Sequence, residues 1–290
     1  MIAYLHDTLV PLDHARISPL DRGFLFGDGL YEGLRAFDGR VVALDRHAAR
    51  LAAGLREARI PFDASRLADL CACLLDANRL RDAFLYVQVT RGSPAPHHPP
   101  RSRLPAENLP PTVFAFATPT PSLAHYAAVP AKHCISTPDT RWLRGHVKSI
   151  SLMGGILAGY EAHEAGADDA ILVRAMPDGR AYAAESTSAN LLIVTPHGEI
   201  VTPPLDHAPI LAGVTRDLLL DAARAAGLTI TQRPIPREEL ADAREVLLCG
   251  TLTMVTAVTH LDGHPVGEGH PGPVATRLLD LLCRTIAAGE

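Results

Sequence analysis

The spacing of apolar and polar positions predicts a first half that combines short strands with two helices. Ala48, Leu51, Leu55 and Ile60 recur near helical spacing, and Asp45 is the expected N-cap of that helix. The predicted elements are extended segments over 2–10, a hairpin over 31–44 turned at Asp38-Gly39, helices over 46–60 and 65–80, and strands near 83–90 and 112–118.

The second half continues this mixture beyond two proline-rich stretches. Seven prolines within 91–111 exclude regular structure there and predict a long loop. The next stretch predicts an interdomain linker, so we expect a domain over 1–119, a linker over 120–130 and a domain over 131–290. The second domain is predicted to contain strands at 131–136, 169–173, 190–194, 199–203 and 244–250, and helices at 151–165, 213–226 and 273–287. This pattern predicts an α/β fold of mixed α+β type with two domains.

Composition limits the kind of protein that this chain encodes. With 47% hydrophobic and 20% charged residues, its 290 residues carry enough apolar surface to exclude wholesale disorder. The net charge of −5, without blocks of like charge, argues against a nucleic-acid or membrane patch and favours a small substrate. The N-terminus lacks a basic leader, and no apolar run reaches the roughly 18 residues of a membrane span, so we expect a cytoplasmic protein. Its five scattered cysteines are expected to be reduced thiols.

One lysine lies in a segment with candidate chemistry. The chain has two lysines, Lys132 and Lys148, and 139–149 (DTRWLRGHVKS) contains the second together with the only tryptophan. A Schiff-base lysine must be desolvated or near cationic groups so that its amine is neutral, and Arg144 and His146 provide such neighbours. An ordinary lysine that extends to solvent from a strand end explains the same residues. This segment alone leaves both interpretations open.

Six sequence blocks, in order and over nearly the whole chain, carry a family signature. They are RISPLDRGFLFGDGLYEGLRAFDG (16–39), YVQVTRGSP (86–94), DTRWLRGHVKSISLMGGILAGYEAHEAGADDAILV (139–173), ESTSANLLIV (185–194), LAGVTRD (211–217) and GTLTMVT (250–256). Together they resemble the class IV aminotransferases. DRGFLFGDGLYE, VQVTRG-SP and DTRWLR-x-x-x-KS most resemble D-amino-acid transaminases, whereas YEGLRAF is similar to branched-chain aminotransferases. The resemblance implies fold type IV and a homodimer.

The resemblance also implies pyridoxal 5'-phosphate as the cofactor and a role for each matching residue. Lys148 matches the lysine that forms the Schiff base and then shuttles the Cα proton. Glu185 matches the glutamate that pairs with the pyridine nitrogen, and Arg50 matches the arginine that binds the phosphate. Tyr31 matches the tyrosine that lines the cofactor and substrate pocket. Further cofactor-binding positions implied by the family are Leu211, Val214, Thr215, Gly250, Thr251 and Leu252.

The proposed substrate pocket departs from the family at one position. The D-amino-acid transaminases carry S-P-R-x-H after VTRG, and this arginine and histidine help to bind the substrate carboxylate. Here His97 matches the histidine, but Ala95 stands where the arginine is expected, so that charge-assisted clamp is missing. Candidate replacements are Arg35, Arg91, Arg101 and Arg103, and Tyr31 also belongs to this pocket.

The resemblance implies a transaminase that moves the amino group of a D-amino acid, such as D-alanine, to a 2-oxo acid, such as 2-oxoglutarate, in two half-reactions. (R)-selective amine transamination, branched-chain L-amino-acid transamination and, more distantly, aminodeoxychorismate lyase activity use the same lysine and stay open as alternatives. A non-catalytic protein that carries the cofactor is another alternative. The presence of Lys148, Glu185, Arg50 and Tyr31 argues against it.

Overall fold

The computed structural model describes residues 1–95, 101–105 and 109–289, which form two compact packing units. The units consist of Met1–Ser122 with Val147–Ser151, and of Leu123–His146 with Leu152–Glu290. Lys148 thus groups with the first unit, whereas the sequence-based division placed it in the second domain. The predicted domain boundaries stay a prediction, since compact packing alone does not show that either unit folds by itself.

The first unit contains a six-stranded antiparallel sheet. Its elements are β1 Ile2–Leu5, β2 Thr8–Pro11, α1 Arg22–Phe26, β3 Gly29–Phe37, β4 Arg40–Val41, α2 Leu44–Ala58, α3 Leu67–Asn78, β5 Ala83–Thr90 and β6 Thr112–Pro119. The strands follow the order β2-β1-β6-β5-β3-β4. Leu30, Leu34 and Ala36 of β3 share one core with Leu51 and Leu55 of α2. Because side chains alternate along a strand, this face of β3 is the one that the apolar stripe of α2 covers.

The start of α2 corrects one sequence prediction. The N-cap position is Ala43, which has a left-handed backbone (φ 45°) and makes no side-chain capping hydrogen bond. The chain turns out of β4 early enough for the helix to begin before Asp45, so the predicted Asp45 N-cap is wrong. Asp45 lies in the first helical turn, where a negative charge still interacts favourably with the helix dipole.

The second unit contains a ten-stranded mixed sheet. Its elements are β7 Ala131–Pro138, α4 Met153–Glu164, β8 Asp169–Ala175, β9 Ala181–Ser186, β10 Asn190–Val194, β11 Ile200–Thr202, α5 Val214–Ala225, β12 Ile230–Gln232, β13 Ile235–Pro236, α6 Glu238–Asp242, β14 Glu245–Gly250, β15 Met254–Leu261, β16 His264–Pro265 and α7 Pro273–Ala287. The order is β12-β11-β10-β14-β15-β7-β8-β9-β13, with β16 beside β15. Asn190 of β10 also pairs with Glu185 of β9, so six of these strands close into a ring of pairings.

Five strands of this unit were not predicted, namely β9, β12, β13, β15 and β16. β9 has the sequence AYAAES, in which alanine gives little β propensity. β15 is buried at nearly every position and therefore lacks the alternation of apolar and polar residues that marks a half-buried strand. The described residues of 91–111 form no helix or strand, as the prolines predict.

Neither a metal centre nor a membrane span is found in the part of the chain that the structure describes. Its side chains form no group of three or more His, Cys, Asp or Glu residues suited to a metal ion. None of its helices is both long and apolar enough to cross a bilayer. All five cysteines are free in the structure.

Candidate active site

Lys148 lies in a short extended segment that pairs with the start of β3. The Tyr31 amide donates to the Lys148 carbonyl, and the Ile150 amide donates to the Gly29 carbonyl, each at 3.1 Å. This pairing places Lys148 Nζ 4.2 Å from the centroid of the Tyr31 ring. A lysine ammonium at this distance interacts favourably with the face of an aromatic ring. Two residues assigned to the site from the sequence are therefore brought together by backbone pairing.

A buried ion cluster on the other face of β3 orients Arg50. Glu32 Oε1 accepts a hydrogen bond from Arg50 Nε (2.9 Å), and Oε2 accepts one from Arg50 Nη2 (2.6 Å). Glu32 Oε2 also lies 2.7 Å from His47 Nδ1. The side chains of Glu32 and His47 are buried, and that of Arg50 is 13% exposed. The two parallel bonds fix the plane of the guanidinium, to which the family resemblance gives the role of binding the cofactor phosphate.

The same cluster holds Glu32 as a carboxylate. Burial by itself raises the pKa of Glu32, but the hydrogen bonds and charges of Arg50 and His47 outweigh it and lower the pKa to about 2. Burial lowers the pKa of His47, because removal from water disfavours its charged form, although Glu32 opposes this effect. At neutral pH the cluster therefore holds an anionic Glu32, a cationic Arg50 and a neutral His47.

We expect the free energy of unfolding to fall as the pH drops below about 6.5. The folded pKa of His47 is lowered from 6.5, so the unfolded chain takes up this proton first and acid favours unfolding. Glu32 changes the free energy of unfolding at lower pH than His47 does. Its folded pKa of about 2 lies below the ordinary 4.5, so its stabilising contribution is complete above 4.5 and is lost as the pH falls towards 2.

Urea unfolding between about pH 5 and about pH 6.5 isolates the His47 contribution, which is at most about 1.4 kcal/mol per pH unit. The slope of stability against pH should be smaller in His47→Gln than in the wild type. His197→Gln, which changes an exposed histidine in the turn between β10 and β11, is the matched control and should keep the wild-type slope. Equal slopes in the wild type and His47→Gln would contradict this account.

Glu185 lies at the end of β9 with hydrogen-bond donors on both carboxylate oxygens. Oε1 accepts from Arg141 Nη1 (2.6 Å), and Oε2 accepts from Asn190 Nδ2 (3.1 Å) and from the Leu211 amide (3.2 Å). The Asn190 side chain also donates to the Leu211 carbonyl (2.9 Å). Burial raises the pKa of Glu185 above its ordinary value, and the Arg141 charge and the hydrogen bonds of Arg141 and Leu211 only partly oppose this effect. The second unit therefore supplies a buried acid whose ionisation depends on these donors.

Val214 and Thr215 form the first turn of α5, beside this acid's partner Asn190. Both residues are buried, and the N-cap residue Gly213 makes no side-chain capping hydrogen bond. A Cβ on Gly213 would lie 1.8 Å from Asn190 Oδ1, so the close approach of the helix start to Asn190 requires glycine. Backbone amides at such a helix start, together with the helix dipole, favour an anion.

The turn between β14 and β15 carries the other predicted cofactor-binding residues. Gly250 ends β14 and pairs with Met254, the first residue of β15. Thr251 lies in this turn and is partly exposed, and Leu252 is 51% exposed. The turn thus presents a hydroxyl and an apolar side chain at the end of the hairpin.

The residues predicted to bind substrate occupy different settings. Arg35 is buried in β3, where its Nη2 donates to the backbone carbonyl of Pro121 (2.8 Å). Arg101 and Arg103 lie on the loop after β5, and both are exposed. His97 lies outside the described residues, so its role stays a prediction.

Arg22 fixes the backbone of the loop that carries these two arginines. Its Nη1 donates to the Ser102 carbonyl (2.6 Å), and its Nη2 donates to the Arg103 carbonyl (2.9 Å). Its Nε donates to Asp28 Oδ2 (2.8 Å). All three nitrogens of this buried guanidinium therefore donate hydrogen bonds, which fixes its orientation. The loop backbone beside Arg101 and at Arg103 is therefore held in place by hydrogen bonds from Arg22 at the start of α1.

Sequence reasoning missed Glu32, His47, Asn190 and Arg141 as members of these clusters. A usable signal existed for Glu32, because it shares the alternating apolar face of β3 with Leu30 and Leu34. An acidic residue on a core-facing position is rarely buried without a paired charge. For the other three, the partners come from distant segments and only the fold reveals them.

Comparison with known sequences relates the chain to a large enzyme family. The family model for amino-transferase class IV matches residues 29–261. A D-alanine aminotransferase of Bacillus licheniformis is 36% identical over 270 residues, which cover 92% of this chain and 90% of that protein. A putative branched-chain-amino-acid aminotransferase of Methanocaldococcus jannaschii is 31% identical over 281 residues, which cover 96% and 94% of the two chains.

Comparison with solved structures gives the same relation at the level of the fold. A branched-chain amino acid aminotransferase from T.th., complexed with N-(5'-phosphopyridoxyl)-L-glutamate, matches with a TM-score of 0.86 at 26% identity and covers 100% of this chain and 95% of its own. The branched-chain aminotransferase from Escherichia coli matches with a TM-score of 0.81 at 24% identity and covers 96% and 91%.

Proposed function

Because this chain belongs to the class IV aminotransferases, we propose that it transfers the amino group of a D-amino acid such as D-alanine to a 2-oxo acid such as 2-oxoglutarate, with pyridoxal 5'-phosphate as cofactor. The observation that carries this proposal is Lys148 Nζ held over the Tyr31 ring at 4.2 Å. The relative from Bacillus licheniformis, named a D-alanine aminotransferase, supports the choice of donor.

The local chemistry of the chain fits each part of this cofactor. Lys148 supplies the amine for the covalent bond, and Glu185 supplies a carboxylate for the pyridine nitrogen. Arg50 and the uncapped start of α5 at Val214 and Thr215 supply a cation and backbone amides for the phosphate. The structurally similar enzyme from T.th. is described in complex with a phosphopyridoxyl amino acid, which agrees with this choice of cofactor.

In this mechanism the chain's own residues bind and orient the cofactor and the substrate, and Lys148 moves one proton. When bound, pyridoxal phosphate supplies the electron sink for the bond that breaks at the substrate Cα. Lys148, once its amine is free, would accept the proton from the substrate Cα and deliver it to the cofactor carbon that retains the amino nitrogen, in the same half-reaction. Glu185, as a carboxylate, would favour a protonated pyridine nitrogen. Tyr31 packs against the Lys148 side chain and limits where its amine can reach.

The missing arginine at Ala95 requires another group to bind the substrate carboxylate. We propose that this group is on the loop fixed by Arg22, where Arg101 and Arg103 provide two exposed guanidinium groups. A guanidinium matches a carboxylate bidentately, which suits it to discriminate an amino acid from a simple amine. Arg35 and His97 are the other candidates.

Branched-chain L-amino-acid transamination is the second candidate, because the relative from Methanocaldococcus jannaschii carries that name at 31% identity. The purified, cofactor-loaded protein should be mixed separately with D-alanine, L-leucine and (R)-1-phenylethylamine, and the loss of visible absorbance followed. We expect D-alanine to react fastest. Faster reaction of L-leucine would assign the chain to the branched-chain group, and faster reaction of the amine would mean that Ala95 marks the loss of carboxylate recognition.

We also propose a homodimer, on the basis of an apolar face of α4. Five large apolar side chains on one side of this segment are between 46% and 65% exposed: Leu152, Met153, Ile156, Leu157 and Tyr160. An exposed apolar patch of this kind is typical of a protein–protein interaction site. A second copy of the same chain is the partner that the family resemblance implies.

Leu157→Asp is expected to convert the dimer to a monomer, because an unpaired carboxylate in an apolar interface costs several kcal/mol. Sedimentation velocity at micromolar protein concentration measures the change. Leu205→Asp, which changes a similarly exposed leucine (41%) on another segment of the same unit, is the control and should remain dimeric. A wild-type monomer at all concentrations would refute the proposed interface.

A further inference from the structure

Glu185 is the last member of a row of four side chains with alternating charge. Arg174 Nη2 lies 2.7 Å from Asp139 Oδ2, and Asp139 accepts hydrogen bonds from Arg141 Nε (2.9 Å) and Nη2 (3.0 Å). The third nitrogen of the same guanidinium, Nη1, donates to Glu185 Oε1 (2.6 Å). The side chain of Asp139 is fully buried, and the others are between 7% and 18% exposed. Arg141 thus connects two carboxylates that would repel each other without it.

The backbone around this row holds Arg141 in one orientation. The Arg141 amide donates to Asp139 Oδ1 (3.1 Å), and the Asp139 amide donates to the Val173 carbonyl of β8 (2.8 Å). Gly154 of α4 packs directly on the arginine, since a Cβ there would lie 2.9 Å from Arg141 Cγ and 3.3 Å from its Cα. With Asp139 accepting from Nε and Nη2, the guanidinium can direct Nη1 only along the line that ends at Glu185.

The burial of Glu185 explains why this carboxyl needs a neighbouring cation such as Arg141. Burial favours the neutral form of Glu185, and a neutral acid could not favour a protonated pyridine nitrogen. The Arg141 charge opposes this effect of burial. Asp139 in turn keeps the pKa of Arg141 high, so that Arg141 remains a cation beside Glu185.

We propose that Arg141, held by Asp139 and seated on Gly154, is the positioning residue that keeps Glu185 an oriented carboxylate for the pyridine nitrogen of the cofactor. This inference rests on the proposed function, because it requires that pyridoxal phosphate binds beside Glu185. Arg141 acts only through Glu185, so its effect should disappear where Glu185 is absent.

A double-mutant cycle on the apoprotein tests this dependence without measuring catalysis. Equilibrium dialysis gives the dissociation constant of pyridoxal phosphate for the wild type, Arg141→Met, Glu185→Ala and the double variant. We expect Arg141→Met to raise this constant about tenfold or more, and to raise it no further in the Glu185→Ala background. Arg141→Lys should recover part of the affinity. Arg233→Met is the matched control, because Arg233 bridges Glu199 and Glu239 on a different part of the unit. This variant should bind pyridoxal phosphate with the wild-type dissociation constant.

The pH dependence of the same affinity separates positioning from simple loss of structure. In Arg141→Met the affinity should fall more steeply on acidification than in the wild type, because Glu185 then takes up a proton at higher pH. If Arg141→Met does not fold, as judged by circular dichroism, Gly154→Ala displaces the same side chain by steric contact. Gly159→Ala, on the same helix with open space around it, is its control.

The outcomes distinguish this inference from the proposed function. Equal effects of Arg141→Met with and without Glu185, or an unchanged dissociation constant in folded Arg141→Met and Gly154→Ala, would overturn the positioning role while leaving the function intact. Failure of the wild-type protein to bind pyridoxal phosphate would overturn the proposed function itself, and the inference with it.

Discussion

Replacing Lys148 by alanine is expected to lower transamination by about a thousandfold or more, because the same amine forms the covalent bond to the cofactor and moves the Cα proton. The variant should also lose the visible absorbance that the cofactor has when bound to a lysine. Turnover with D-alanine and 2-oxoglutarate, together with the absorption spectrum, measures both effects. The fold should persist, since Lys148 contributes its backbone to the pairing with Tyr31 and alanine retains that backbone.

Lys132→Ala is the natural control, since these are the only two lysines in the sequence. Lys132 Nζ lies 3.1 Å from Asp169 Oδ2, in an ion pair within the second unit, so the control should keep its absorbance and its turnover. Full activity in Lys148→Ala, or loss of the visible band in Lys132→Ala alone, would contradict the assignment of Lys148.

Replacing Arg50 by methionine is expected to destabilise the protein by about 3–5 kcal/mol and to weaken cofactor binding. The stability loss follows from leaving Glu32 charged and buried without its bidentate partner. Urea unfolding of the apoprotein measures this loss independently of any ligand. Arg56→Met, at an exposed position of the same helix, is the control and should change stability by less than about 0.5 kcal/mol.

A second substitution separates the two roles of Arg50. In Glu32→Gln/Arg50→Met no buried charge is left unpaired, so much of the lost stability should return. The affinity for pyridoxal phosphate should stay low, because the cation for the phosphate is still absent. If the double variant recovers its affinity together with its stability, Arg50 has only a structural role.

The sequence was informative wherever local pattern determines structure. The hairpin at Asp38 and Gly39 and the helices α5 and α7 lie where spacing and turn residues predicted them. The family comparison confirms the predicted class IV aminotransferase membership and the fold type. Prediction failed for β9, where alanine carries little strand signal, and for the Asp45 N-cap, where a left-handed Ala43 begins the helix instead.

The site was predictable only as far as the family motifs reach. Those motifs marked Lys148 and Glu185, but their supporting contacts join segments far apart in the chain. Arg141 and Glu185 are separated by 44 residues, and Glu32 and Arg50 by 18, so no local spacing links them. Such pairs become visible once the strands and helices that carry them are placed.

Reduction of the cofactor-loaded protein with borohydride, followed by digestion and mass spectrometry of the peptides, tests the central claim most directly. Borohydride makes a lysine–pyridoxal bond permanent, so the modified residue is identified in the peptide that contains it. We predict a phosphopyridoxyl group on Lys148 and none on Lys132. A group on Lys132, or no modified lysine in a protein that carries out transamination, would contradict the account.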